Sequence, residues 1–102
     1  MGDLLNQREA ELLAITINGE RYGRDIRNQY EQRTDRKLPL GSLYVTLDRM
    51  EDKGYLTSRM GESAHNRGGY RRKYYKITGA GQRALNAYQI AVSACLGRLS
   101  GA

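Results

Sequence analysis

Residues 40–60 read LGSLYVTLDRMEDKGYLTSRM, and residues 71–78 read RRKYYKIT. In the first stretch Leu40, Leu43, Leu47 and Met50 recur at spacings of three and four, which is one apolar stripe of a helix. The spacing predicts a helix from Leu40 to Asp52. Pro39, the only proline, suits its first turn. Lys53-Gly54 suits its end, where a cation meets the negative pole and glycine bends the chain. The period then drops to two. Leu56, Ser58 and Met60 alternate on one strand; Arg71, Lys73, Tyr75 and Ile77 share one face of a second, with Arg72, Tyr74 and Lys76 on the other. Between them lies a long polar loop, Gly61 to Tyr70, with Gly68-Gly69 for backbone bending.

Outward from this core, two more helices precede it. Leu4, Leu5, Leu12, Leu13 and Ile15 predict a helix over 4–18, ended by Asn18-Gly19. Tyr22, Ile26 and Tyr30 form one face of a helix over 22–34, whose other face carries Arg21, Arg24, Arg27 and Asn28. Thr78 is a natural N-cap for a last helix. On that helix Leu85, Tyr88, Val92, Cys95 and Leu99 alternate spacings of three and four, as in the seam of paired helices. The preceding core looks complete without it, so the seam reads as intermolecular. The first helix is expected to lend its other side to the same interface.

The order helix, helix, helix, hairpin, helix is mainly α with a small β-hairpin (α+β). It is the layout of a winged helix-turn-helix, in which the third helix enters the major groove and the hairpin touches adjacent backbone. We expect a single domain over 1–102, with the winged helix-turn-helix over 4–77 and a C-terminal dimerisation helix over 78–99.

Charge points the same way. The 102-residue chain carries a formal net charge of +6. From Tyr55 to Lys76 six cations (Arg59, Arg67, Arg71, Arg72, Lys73, Lys76) face one acid, Glu62, so the excess is concentrated where a wing would meet phosphates. Ser42, Tyr44, Val45 and Arg49 on the third helix, Arg24 on the second, and Arg67, Arg71, Arg72 and Lys73 on the wing are the candidate DNA contacts. Each has a plainer alternative: Tyr44 as packing between helices, Val45 as an incidental exposed residue, Arg49 and the wing charges as a solvated face.

Enzyme chemistry finds little support. One His (His65), one Cys (Cys95), and neither an acid pair nor a phosphate-cradling glycine loop leave no recognisable active site. No metal site or cofactor is expected. Cys95 excludes an internal disulfide and reads as a small core residue, with a redox-sensing thiol as the sharper alternative. No leader is visible and no apolar run approaches the ~20 residues that span a bilayer. We expect a cytoplasmic protein with no membrane partner. A protein-binding winged helix is the competing class, and the basic wing argues against it.

Several residues in fixed order also resemble a known family. These are Gly19, Tyr22-Gly23, Ile26, Leu40-Gly41-Ser42-Leu43-Tyr44, Leu47, Met50-Glu51, Gly54-Tyr55-Leu56, Arg72-Lys73-Tyr74-Tyr75-Lys76-Ile77-Thr78 and Gly81. Together they resemble the PadR family of bacterial transcriptional regulators from about Leu12 to Leu85. The resemblance implies a homodimer joined through the C-terminal helix, binding to double-stranded DNA at a palindromic operator, and repression often relieved by a small-molecule effector. Val45 stands where the family usually has proline, and Gly79-Ala80 where it usually has acids.

Overall fold

A computed structural model describes residues 4–61 and 72–100, the last four of these by backbone alone. Its elements are α1 (Gln7–Ile15), β1 (Arg21–Tyr22), α2 (Gly23–Thr34), α3 (Leu40–Asp52), β2 (Leu56–Met60), β3 (Lys73–Ile77) and α4 (Gly79–Ser100).

Helix α1 is shorter than its apolar pattern suggested. Asn6 caps it: its side chain accepts from the Glu9 amide at 2.8 Å, and the Glu9 carboxylate accepts from the Asn6 amide at 3.0 Å. Leu5 and Ala10 flank this box as the two halves of a hydrophobic staple, and both are buried. The helix stops at Ile15, because the Thr16 hydroxyl donates to the Leu13 carbonyl at 2.9 Å and closes the last turn. Gly19, at φ +142°, turns the chain back.

That turn delivers an element the sequence pattern did not reveal. Arg21 and Tyr22 form β1, which pairs antiparallel with β3 in the register Arg21↔Tyr75 and Tyr22↔Tyr74. The wing root is therefore a three-stranded sheet of order β1-β3-β2, not a bare hairpin. Arg21 locks the junction by donating to the Ile15 carbonyl and to Asp25, both at 3.0 Å.

Helix α3 has the bounds its spacing predicts, although Pro39 sits just before it as the cap rather than inside it. Leu43, Leu47 and Met50 are fully buried. Thr46, which is not part of the apolar stripe, is buried too; its hydroxyl donates to the Ser42 carbonyl at 3.0 Å, which makes the burial tolerable.

Strands β2 and β3 pair from Leu56↔Ile77 to Met60↔Lys73. Tyr75 and Ile77 point into the core and Lys76 out, as the alternation requires. The Thr78 hydroxyl accepts from the Gly81 amide at 3.0 Å and donates to the Gly54 carbonyl at 2.6 Å, so the start of α4 is fastened to the turn after α3.

The expectation for α4 needs correction at its first half. Leu85 is 3% exposed and belongs to the chain's own core, with Ala84 and Tyr88 packed against that core. The core is thus not complete without α4. Leu5, Leu12 and Leu13 of the first segment are likewise spent internally, and only Leu4 is exposed. Cys95 is exposed on this chain, not a core residue.

Tyr75 is fully buried, yet its hydroxyl has no hydrogen-bond partner among the described residues. Burial, reinforced by Asp48, Tyr44 and Glu51, pushes its ionisation well above the ordinary tyrosine range. Tyr75→Phe removes a stranded polar atom, so stability should hold or rise by up to about 1 kcal/mol. Because its folded pKa is raised, Tyr75 contributes stability that is complete below about pH 10 and declines above it. The Phe variant should lack that alkaline decline in denaturant titrations. A clear loss of stability at neutral pH would mean that the hydroxyl is bonded in solution.

Candidate nucleic-acid interface

The outward face of α3 carries Gly41, Ser42, Val45, Asp48 and Arg49, all exposed. Val45, at 58% exposed, is the largest apolar side chain on it. The opposite stripe is anchored by fully buried leucines, so this face is rigid. Side chains held this firmly can keep a fixed register against base edges.

Tyr44 is placed differently. It is 36% exposed, and its ring lies over Gly23 at the start of α2. A Cβ at Gly23 would stand 2.7 Å from two ring carbons, so the glycine is what lets the ring sit there. Tyr44 therefore spends most of its ring on helix packing and offers only its margin outward. Arg24, beside Gly23, is exposed.

The wing root is a ladder of rings and cations. The Arg72 guanidinium stands 4.5 Å from the Tyr22 ring centre, Tyr22 meets Tyr74 edge-on at 5.9 Å, and Arg59 stands 5.0 Å from the Tyr74 ring. Arg59 also donates twice to Glu20, each bond 2.7 Å. That bidentate pair holds the Glu20 carboxyl below its usual range and raises the Arg59 guanidinium.

Lys73, a candidate phosphate contact, turns back toward α3. Its ammonium is 3.8 Å from Asp48 and 4.0 Å from Glu51, and Glu51 also accepts from Ser58 at 2.7 Å. Strand alternation already sets Lys73 on the inward face with Tyr75 and Ile77, which turns its ammonium toward α3. Two of the six wing cations thus neutralise protein acids: Arg59 ties β2 to Glu20 just before β1, and Lys73 ties β3 to Asp48 and Glu51 of α3. Arg72 and Lys76 form no close ion pair among the described residues, although Lys76 adds to the charge that lowers the Glu20 carboxyl. Arg67, Arg71, His65 and the Gly68-Gly69 pair lie outside the described residues, as does the Leu99 side chain. Val92 is 38% and Leu96 59% exposed on the face of α4 that begins at Leu85; Leu96, four residues after Val92, extends that face although the three-four spacing of the seam does not include it.

Among the described residues no three His, Cys, Asp or Glu side chains gather as a metal site, and no helix is long and apolar enough to cross a membrane.

The model of the transcriptional regulator PadR-like family matches residues 12–87. The chain belongs to that family. PadR-like proteins are transcriptional regulators rather than enzymes. No curated protein sequence matches significantly. Among solved structures, a PadR-like transcription factor from Bacteroides fragilis is similar at TM-score 0.80 and 23% identity, over 92% of this chain and 87% of that one. A PadR family regulator from Clostridium difficile is similar at TM-score 0.75 and 26% identity, over 92% and 98%. Bacillus subtilis PadR, solved with operator DNA, is similar at TM-score 0.73 and 22% identity, over 83% of this chain and 48% of that one. The PadR winged-helix architecture of four helices and a small antiparallel sheet is shared.

Proposed function

We propose that this PadR-like protein is a sequence-specific repressor that binds a palindromic operator as a homodimer in the cytoplasm. The observation that carries the reading is the face of α3: Ser42, Val45 and Arg49 stand exposed on a helix whose other side is locked in the core. The operator complex of Bacillus subtilis PadR, of the same fold, supports duplex DNA as the partner. Support for the dimer comes from α4, which leaves Val92, Cys95 and Leu96 exposed beyond the point where Leu85 and Tyr88 meet the core. An apolar strip on a helix is covered in most soluble proteins, and a second copy of α4 covers it symmetrically.

The direct test is fluorescence polarisation with DNA from upstream of the protein's own gene, against a scrambled duplex. Tenfold or greater preference for the upstream duplex is expected; equal binding to both would reject sequence-specific recognition. Labour should divide between the elements. Ser42→Ala should lower the ratio of specific to random affinity, by about 1–3 kcal/mol where a base contact is lost. Arg72→Ala should weaken both duplexes alike and make the log–log salt dependence shallower by about one unit. A full salt slope in Arg72→Ala with lost operator preference would reverse these assignments.

A further inference from the structure

Four arginines, from three helices and a connector, converge on one groove that no described residue of the wing lines. Arg8 comes from the first turn of α1, Arg33 from the last turn of α2, Arg36 from the connector and Arg49 from α3. They line an open groove of about 590 Å³. All four are exposed, and none has an ion-pair partner among the described residues. Glu11 is the single acid in the lining, so four positive charges face one negative. Gathering like charges without counter-charges costs free energy, and a polyanion bound in the groove recovers it.

The lining decides what kind of anion fits. Small-molecule sites are mostly apolar and enclosed. This groove is open and polar, and its arginines are spread over its rim. Such a surface suits a strand carrying repeated charge better than a compact molecule. Arg49 settles the direction, because it belongs both to this rim and to the outward face of α3. Through Arg49 the groove is continuous with the outward face of α3.

We propose that this arginine groove is a second phosphate-binding surface, which grips the DNA backbone beside the bases that α3 reads. The inference rests on the DNA-binding reading above and extends it to α1 and the end of α2. Guanidinium groups suit the task because each can hold a phosphate through two parallel N–H donors. On this account α3 lies between two phosphate grips, the wing on one flank and the groove on the other.

The test is a salt titration of polarisation on operator and scrambled duplexes, using wild type, R33A/R36A and R33K/R36K. The alanine pair should flatten the log–log slope by about two units, which narrows the affinity ratio between 50 and 200 mM salt by roughly tenfold, on both duplexes alike. The lysine pair should keep most of the slope, since point charges still neutralise phosphates. Unchanged melting temperatures establish that these exposed replacements leave the fold intact. If wild type binds DNA and R33A/R36A keeps the full slope, the groove proposal fails and the DNA-binding reading stands. If wild type binds no duplex, both fail. Inorganic pyrophosphate, titrated at constant ionic strength, provides the other arm. Stoichiometric binding that the alanine pair abolishes, with an unchanged DNA slope, would make the groove a small-anion site and overturn the assignment to DNA.

Discussion

Val92→Glu should sediment as a monomer at concentrations where wild type sediments as a dimer. Val92 is only 38% exposed within one chain, and its face of α4 continues to Leu96. In the proposed dimer a glutamate there is a buried charge without a partner, which costs several kcal/mol. The carboxylate stays solvated in the monomer, so the fold survives and the whole penalty falls on association. DNA binding should fall with it. Two half-sites held by one dimer gain about 10²–10⁴ in affinity over independent binding, and a monomer forfeits that gain. Sedimentation equilibrium and operator polarisation read the two effects separately. A variant that remains dimeric would move the interface off this face, and a monomeric wild type would remove the dimer altogether.

The second large effect is on stability. Gly81→Ala should lower the melting temperature by about 10 °C, through a net loss of about 2 kcal/mol. A Cβ at Gly81 would overlap the carbonyl oxygen of Tyr55 and lie 2.8 Å from Ile77 Cγ1. The first obstacle is backbone, and it already accepts the Thr78 amide at 3.0 Å, so it cannot swing aside without breaking the joint that starts α4. Alanine's better helix propensity, about 1 kcal/mol over glycine, offsets only part of the clash. Gly79→Ala supplies the control from the same helical turn. A Cβ there meets only the flexible end of Arg83 at 3.4 Å, and stability should hold or rise. Equal melting of Gly81→Ala and wild type would show that the Tyr55 backbone and α4 can separate freely.

These predictions draw on features of different legibility. The strictly periodic segment, α3, is found with the bounds its apolar spacing predicts, because Leu43, Leu47 and Met50 all face one core. Strand alternation is as clear in β3, where Tyr75 and Ile77 are buried and Lys76 is not. The exposed face of α3, with Ser42, Val45 and Arg49, follows from the same geometry, since it lies opposite the stripe. Harder to read was α1, whose apolar residues run past its ends; the Asn6–Glu9 capping box and Thr16 set its limits, not its leucines.

The kind and order of the long elements, and which face of each is apolar, are written in the spacing of the chain's apolar residues. Periodicity reports that face whatever it later meets. Tertiary structure decided what each face touches. Leu85 and Val92 lie on one stripe of α4, yet Leu85 is buried in its own chain and Val92 stands outside it, because the core ends between them. Strand β1 has two residues, too few to carry a period, and exists only because β3 lies beside it. Glu20 and Arg59, 39 residues apart, neutralise each other, and four arginines from α1, α2, the connector and α3 come to line one groove. Such pairings depend on distances between remote segments, and a charge carries no mark in the chain of the partner it will find.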